Sequence, residues 1–413
     1  MNCNTNWQID YQCPQCGAPV VLDEADRIMK CPYCRTKLYL SKEDGFQYII
    51  PSCQQQDRQI YYVPYWRLQG SRFWFENLQV KSRFIDVSQK AVAIPLISPT
   101  LGIRPQAVKL KFAAPEMPGI FLTPQITIRN AFGLPDSQDN QDSLTDFIGE
   151  VLSLIYAPVY LNGKTLYDAV TEQRMKDLPD PSLLFDLKKT NPAVSAKILF
   201  LPTLCPHCGW NLEGEKDALT LSCDNCKTLW IYQKNRLVQL PFTALHSPEK
   251  PDIWLPFWKM KIQAEGFAVD SYADLIRLAN LPKVANPSLE STPLYFWSPA
   301  FKINPALYMR WARIMTVAQP TITADDKTAN GSLLTFHPVT LPLSEAVEGV
   351  RMNLGQLLSD KRRFLHALSK AKITLIDGEL VYHPFRQRNS ELIHTTLGMT
   401  VNRNALSLAV HLS

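Results

Sequence analysis

The chain has 413 residues, too many for one ordinary core, so its length implies two to four domains. Hydrophobic residues make up 46% and charged residues 20%, a balance that excludes an intrinsically disordered chain. A net charge of +5 permits contact with nucleic acid or an acidic surface without requiring it, and no run of about 18 uninterrupted apolar residues marks a membrane span.

The first residues, "MNCNTNWQIDYQC", have neither a basic start nor an apolar stretch of signal-peptide type, so a cytoplasmic protein is expected. Eight of the ten cysteines form four Cys-x-x-Cys pairs, leaving only Cys3 and Cys53 over. In a reducing compartment such spacing reads as metal binding rather than as disulfides. Cys13, Cys16, Cys31 and Cys34 form the first set, in an expected domain spanning 1–45. Each Cys-x-x-Cys turn sets two sulfurs on one side of a tight knuckle, and two knuckles close a tetrahedral four-cysteine cage. Pro14 fixes the first turn, and Gly17 stands where a left-handed backbone is often needed.

A mixed β/α lobe is expected over 46–195. "PYWRLQGSRFWFE", from Pro64, reads as a strand pair punctuated by Gly. From Ser143, residues Leu144, Phe147, Ile148, Val151, Leu152 and Ile155 fall at helical spacing, with Ser143 as cap. Asn162-Gly163 between apolar runs predicts a hairpin. "LPDSQDNQDS" from Leu134 is a surface loop, and "KDLPDPS" from Lys176 begins a linker.

The second ribbon, over 196–240, holds Cys205, Cys208, Cys223 and Cys226, each 192 residues after its counterpart in the first set (13 to 205, for example). Pro206 and Gly209 repeat the roles of Pro14 and Gly17. The register persists: Pro64-Tyr65-Trp66 becomes Pro256-Phe257-Trp258, "SPTLGIRP" from Ser98 faces "SPAFKINP" from Ser298, and "LIYAPVY" from Leu154 faces "LVYHPFR" from Leu380. A second lobe is therefore expected over 241–413. In it "PFWKMKIQAEGFAV" is a strand pair, Thr323 begins a loop, and Asp377-Gly378 makes a hairpin. Val347, Val350, Leu354, Leu357, Phe364 and Leu368 mark a helix longer than its first-lobe counterpart. The expected fold is α+β and β-rich, with two pseudo-repeats, each a four-cysteine zinc ribbon followed by a mixed β/α lobe.

The segments "CPQCG…CPYC" and "CPHCG…CDNC" resemble zinc ribbons of the rubredoxin-like type. Arg35 and Lys227 depart from the Gly often found after the last cysteine, which weakens a turn without preventing ligation. The resemblance implies two structural Zn2+ per chain, because four thiolates leave no position open to water or substrate. Iron is the rival metal, though the fourteen-residue gap between the pairs is short for rubredoxin itself. Redox use of a Cys-x-x-Cys disulfide would need one reactive pair on a βαβ unit, not two matched sets. His207, inside the second knuckle, reads as an exposed turn residue. The whole chain is similar to uncharacterised bacterial proteins that join zinc ribbons to Pro-Tyr-Trp-bearing β lobes, a family with no assigned activity.

No catalytic constellation stands out. "NGKT" at Asn162 matches the end of a phosphate-binding loop, but Pro158 occupies the position that needs Gly. The expectation is a non-enzymatic scaffold or adaptor that binds a protein partner. The alternative is a transcription- or replication-type factor that binds nucleic acid without strong sequence preference. Residues 11–45 carry five basic and five acidic side chains and residues 203–238 four of each. A zinc held by four thiolates adds a formal −2, so the ribbons are poor phosphate-contact surfaces. The better basic patch is Arg351, Lys361, Arg362, Arg363, Lys370 and Lys372 on the long helix, with the solvated side of an amphipathic helix as its structural alternative.

The Pro-aromatic segments "YVPYW", "YAPVY", "WLPFW" and "YHPFR" are expected to open strands or run along sheet edges. There Tyr65, Trp66, Phe257 and Trp258 could accept a partner strand, or else pack a β-rich core. Candidate partner-binding residues are thus these four together with Lys361, Arg362 and Arg363.

Overall fold

The computed structural model describes residues 8–24, 26–41, 46–52, 58–94, 97–102, 109–114, 117–132, 144–179, 189–190, 199–233, 236–247, 250–323 and 335–408. They form two compact units: 1–69, 85–136 and 150–202 in the first, and 70–84, 137–149 and 203–413 in the second.

In the first unit, β1 (Gln8–Gln12) and β2 (Pro19–Asp23) pair antiparallel around the first knuckle, and β3 (Ile28–Lys30) and β4 (Lys37–Ser41) around the second. Nine further strands make one sheet, with residues 70–76 of β6, 79–84 of β7 and 145–149 of β10 belonging to the second unit: β5 (Phe46–Ile49), β6 (Ile60–Glu76), β7 (Gln79–Lys90), β8 (Lys111–Phe112), β9 (Ile120–Leu122), β10 (Thr145–Asn162), β11 (Thr165–Asp168), β12 (Arg174–Asp177) and β13 (Lys189–Thr190). Its main path runs β12-β11-β10-β6-β9-β13; β7 lies on β6, and β5 pairs parallel with β10. A short helix, α1 (Ile128–Phe132), follows β9. Finally β14 (Leu199–Pro202) returns to pair with β4. Residues 199–202 therefore complete the first ribbon, and the unit boundary falls after Pro202 rather than at 195–196. The first ribbon has no core of its own: Ile9, Val20, Leu22 and Met29 pack with Tyr48, Val63, Tyr65 and Ile155 of the sheet.

The second unit begins with β15 (Thr220–Cys223), β16 (Thr228–Gln233) and β17 (Arg236–Leu240), a local three-stranded ribbon. A six-stranded sheet follows, built from β18 (Phe242–Ala244), β19 (Ile253–Glu265), β20 (Phe296–Pro299), β21 (Lys372–Arg388), β22 (Glu391–His394) and β23 (Thr400–Asn402). Its order is β20-β19-β21-β22-β23, with β18 parallel to β21. Helices α2 (Tyr272–Ala279), α3 (Pro287–Glu290), α4 (Pro305–Ala318), α5 (Leu343–Glu348), α6 (Val350–Leu357), α7 (Lys361–Lys370) and α8 (Arg403–Leu408) complete it. Local sequence explains their starts. Ser271 and Asp274 form a reciprocal capping box on α2, and Asn304 caps α4 with Pro305 in its first turn.

Several expectations fail for identifiable reasons. The run from Leu144 is not a helix but β10, where burial alternates through Leu144, Asp146 and Ile148 before both faces are covered from Ser153 to Tyr160. A strand buried on both faces reads as continuous apolar sequence, which periodicity cannot separate from a helix. The two expected strand pairs are single strands, β6 and β19. Asn162-Gly163 does mark a hairpin, with Asn162 opposite Thr165 and Gly163 at φ 63°. Asp377-Gly378 does not: it lies within β21, where the register shifts so that Lys261 opposes Asp377 and Ile262 opposes Leu375. One extra residue, Ile376, makes this a β-bulge. The expected long helix is three, α5, α6 and α7, broken at Gly349 and at 358–360. The loops at 134–143 and 324–332 and most of the linker after Lys176 lie outside the described residues, as do Cys3 and Cys53.

The prolines are neither strand openers nor edge markers: Pro64, Pro158, Pro256 and Pro384 sit inside β6, β10, β19 and β21. Each stands one residue past the end of a neighbouring strand's pairing. Val159 pairs with Asp168, Phe257 with Pro299 and Phe385 with His394, while β7 ends at Lys90 before Ala91 bonds to Pro64. The missing N–H thus removes no ladder bond.

At these prolines the two units make the same hydrogen bonds. The Ala91 N–H donates to Pro64 O and the Ala300 N–H to Pro256 O, both at 2.9 Å. Trp66 Nε1 donates to Ile126 O at 2.8 Å, and Trp258 Nε1 to Leu341 O at 2.9 Å. The Ile50 N–H donates to Tyr156 O and the Leu245 N–H to Tyr382 O, both at 3.0 Å. In this register Ala91 answers to Ala300, so the likeness between Ser98 and Ser298 is not positional: Ser98 follows β7, whereas Ser298 lies within β20.

Candidate metal centres

Both sets of four cysteines converge, the four Sγ atoms of each lying within 4.8 Å of one another. Across the knuckles, Cys13 Sγ is 3.7 Å from Cys34 and Cys16 is 3.6 Å from Cys31. In the second set Cys205–Cys226 is 3.6 Å and Cys208–Cys223 is 3.4 Å. Four sulfurs about 2.3 Å from a central zinc lie about 3.8 Å apart along a tetrahedral edge, whereas a disulfide would bring two of them to about 2.05 Å. The donor set therefore fits a four-coordinate thiophilic metal. His207 is exposed and outside the converging group.

The backbone builds each cage the same way. In the first knuckles the Cys13 N–H donates to Ala18 O and the Gly17 N–H to Cys13 O, and Cys205 and Gly209 repeat the pattern with Trp210 O and Cys205 O. Gly17 and Gly209 both take φ 72° with open space where a Cβ would stand, so torsion rather than crowding selects glycine. Arg35 and Lys227 adopt the same left-handed turn at φ 61° and 55°. The first cysteine of every knuckle is buried, while Cys16, Cys34 and Cys208 face solvent.

Two residues missed at the sequence level complete the sites. Thr36 Oγ1 lies 3.3 Å from Cys34 Sγ, and Thr228 Oγ1 lies 3.0 Å from Cys226 Sγ. Both threonines stand two positions after the last cysteine, 192 residues apart, and that shared offset was the available signal. Against a thiolate the hydroxyl donates, a supporting bond that steadies the ligand. Without metal, the Thr36 hydroxyl and then its backbone N–H draw Cys34 down to about 6. The Asn225 side chain and then the Trp210 N–H draw Cys208 down to about 6.

The first ribbon is also tied to its sheet by charge. Arg67, fully buried on β6, contacts Glu24 of the ribbon and grips Asp86 through Nε at 2.8 Å and Nη2 at 2.7 Å. Ser153 Oγ donates to Glu24 Oε1 at 2.6 Å. Removing one partner would leave a buried charge uncompensated, so this cluster holds ribbon and sheet in one register.

The remaining candidates disperse. Tyr65, Phe257 and Trp258 are buried in the cores, and Trp66 is half-buried with its indole N–H bonded, so these aromatics pack the interior instead of lining an open edge. Lys361 is half-buried, and Arg362 and Arg363 are exposed, in the first turn of α7. Arg351 lies on α6, where it donates to buried Asp146 at 2.6 Å, and Lys372 lies on β21. Burial raises the Asp146 carboxyl, with Arg351 opposing. The six basic residues thus do not share one helix face. Lys164, in "NGKT", belongs to a hairpin turn and not a phosphate loop. Among the described residues no helix is long and apolar enough to cross a membrane. No protein-family model, curated protein or solved structure matches the chain.

Proposed function

We propose that this chain is a zinc-stabilised, non-enzymatic scaffold or adaptor for protein–protein interaction, with two Zn2+ per chain and two pseudo-repeats of one ribbon-and-lobe unit. The observation that carries it is the pair of closed four-sulfur cages, each with two cysteines buried in the unit it begins. A closed cage has no position for water or substrate, so it contributes stability rather than catalysis. The matched hydrogen bonds at Pro64 and Pro256 and at Tyr156 and Tyr382 support the duplication. Zinc is favoured over iron on the ribbon spacing.

The test is metal analysis of the purified chain, followed by a native pull-down analysed for proteins and nucleic acid. Two zincs per chain and a stoichiometric protein partner are expected. The nucleic-acid reading would replace this one if clean protein bound RNA or DNA below micromolar concentration at physiological salt, and if charge reversal at Lys361, Arg362 and Arg363 weakened that binding.

A further inference from the structure

Within the second unit, the ribbon and the lobe line a cavity of about 440 Å3, inside the ~300–1,000 Å3 range of small-molecule sites. Glu215 and Asp217 come from the ribbon; Asp252, Lys302, His337 and Arg403 come from the lobe. Acidic and basic groups therefore meet in one concavity, which a plain solvated surface does not require.

The first unit serves as an internal control. Asp252 precedes Pro256 by the same four residues that separate Ile60 from Pro64. The Lys302 N–H donates to Thr340 Oγ1 at 2.8 Å as the Ala93 N–H donates to Gln125 Oε1 at 3.1 Å. Phe336 bridges Trp254 as Phe121 pairs with Tyr62, so His337 answers to Leu122. Gln387, also on the lining, follows Pro384 as Leu161 follows Pro158. Four apolar positions of the first unit are thus polar or charged in the second. In the first unit Ile60, Leu122 and Leu161 pack against the cores. The second unit replaces that apolar packing with a cavity whose charged groups stand beside Ile253, Leu392 and Leu406.

Its polar groups are partly organised already. Asp252 Oδ2 accepts the Gln387 N–H at 2.7 Å, and Arg403 Nη1 donates to Gln387 Oε1 at 3.0 Å. Glu215 is exposed at the rim, where partial desolvation and then the charge of Asp217 raise its carboxyl, so a cation between the two would be favoured. Burial holds His337 neutral, lowered to about 4.

We propose that this cavity binds a zwitterionic small molecule of amino-acid or short-peptide type, its ammonium toward Glu215 and Asp217 and its carboxylate toward Lys302 and Arg403. The inference goes beyond the scaffold reading and uses the duplication only as a positional register.

The test applies a panel of free amino acids and glycyl dipeptides to the full zinc-loaded chain, by thermal shift and then calorimetry. At least one member should raise Tm and bind saturably, and its N-acetylated and its C-amidated derivatives should each bind at least tenfold more weakly. Lys302→Ala, which installs the first unit's residue, and Asp217→Asn should each weaken binding at least tenfold without changing zinc content. If Lys302→Ala does not fold, Asp217→Asn alone decides. The proposal is overturned if no panel member binds, if the blocked derivatives bind as well as the parent, or if the variants keep full affinity. Stabilisation by Mg2+ or Ca2+ alone, with no response to zwitterions, would also overturn it. None of these outcomes depends on finding a protein partner.

Discussion

Arg35 and Lys227 hold left-handed backbone at φ 61° and 55°, a region that disfavours any side chain with a Cβ. Arg35→Gly and Lys227→Gly should each stabilise the zinc-loaded protein by about 0.5–1 kcal/mol, less the added freedom of glycine in the unfolded chain. Urea unfolding at constant zinc measures this, and a lower midpoint would show that the arginine or lysine side chain outweighs the torsion. At the ligands themselves, Cys16→Ser and Cys208→Ser should each release one zinc and destabilise the unit that carries the mutated ribbon. Full metal content together with an unchanged Tm would refute the structural role of that cage. Structural zinc in small ribbons contributes on the order of 10–16 kcal/mol in peptides, so these losses should be large.

Among the elements, the packing of α6 depends on one missing side chain. A Cβ on Gly355 would meet Phe75 Cζ at 2.7 Å and Cε2 at 2.9 Å. Alanine would gain about 1 kcal/mol of helix propensity, and the clash should reverse that by about 1–3 kcal/mol. Gly355→Ala is therefore expected to lower stability, and Gly355→Ala with Phe75→Leu to recover part of it. If the single variant proved more stable, the Phe75 contact would not be tight. What was legible in the sequence at this scale follows the same physics. The knuckles were plain because cysteine spacing and Gly17 encode geometry locally. The Leu144 run was misread because β10 takes its pattern from the elements that bury it. Asp377-Gly378 looked like a turn, yet Gly378 lies within β21, with Leu343 Cδ2 2.7 Å from where its Cβ would stand. Asp146 and Arg351 stand 205 residues apart, and nothing in the chain between them announced the pair. The cavity was invisible for the same reason, since its charges come from segments far apart in sequence.

Over the whole molecule, titration should separate the units. All seven histidines lie at position 207 or later, so the first unit has none. Burial lowers His337 and His394 to about 4, and burial together with His394 lowers His383 well below the ordinary imidazole value. His394 Nδ1 accepts the Thr396 and Leu397 N–H groups at 3.2 and 3.1 Å, which leaves its Nε2 proton to donate to His383 Nδ1 at 3.0 Å. These groups bind protons more readily in the unfolded chain than in the folded one. Their stabilisation is complete above about pH 6.5 and is lost as pH falls toward 4, by about 1.4 kcal/mol per pH unit for each histidine. Limited proteolysis at pH 7 and pH 5, mapped by mass spectrometry, should show new acid-dependent cleavage first in the second unit, within 70–84, 137–149 or 203–413. Cleavage first within 1–69, 85–136 or 150–202 would contradict this.

The strand β14 has a consequence for how the chain is made. It closes the first ribbon's sheet against β4, yet it is synthesised about as late as the first ligand of the second ribbon, only Thr203 and Leu204 lying between Pro202 and Cys205. On the ribosome the first quartet of cysteines is complete at Cys34, long before the sheet around it can be. During that interval β4 has an open edge, and the four cysteines are available to a metal before that edge closes. A fragment cut at residue 195 would keep all four cysteines of the first cage and still expose that edge to another chain.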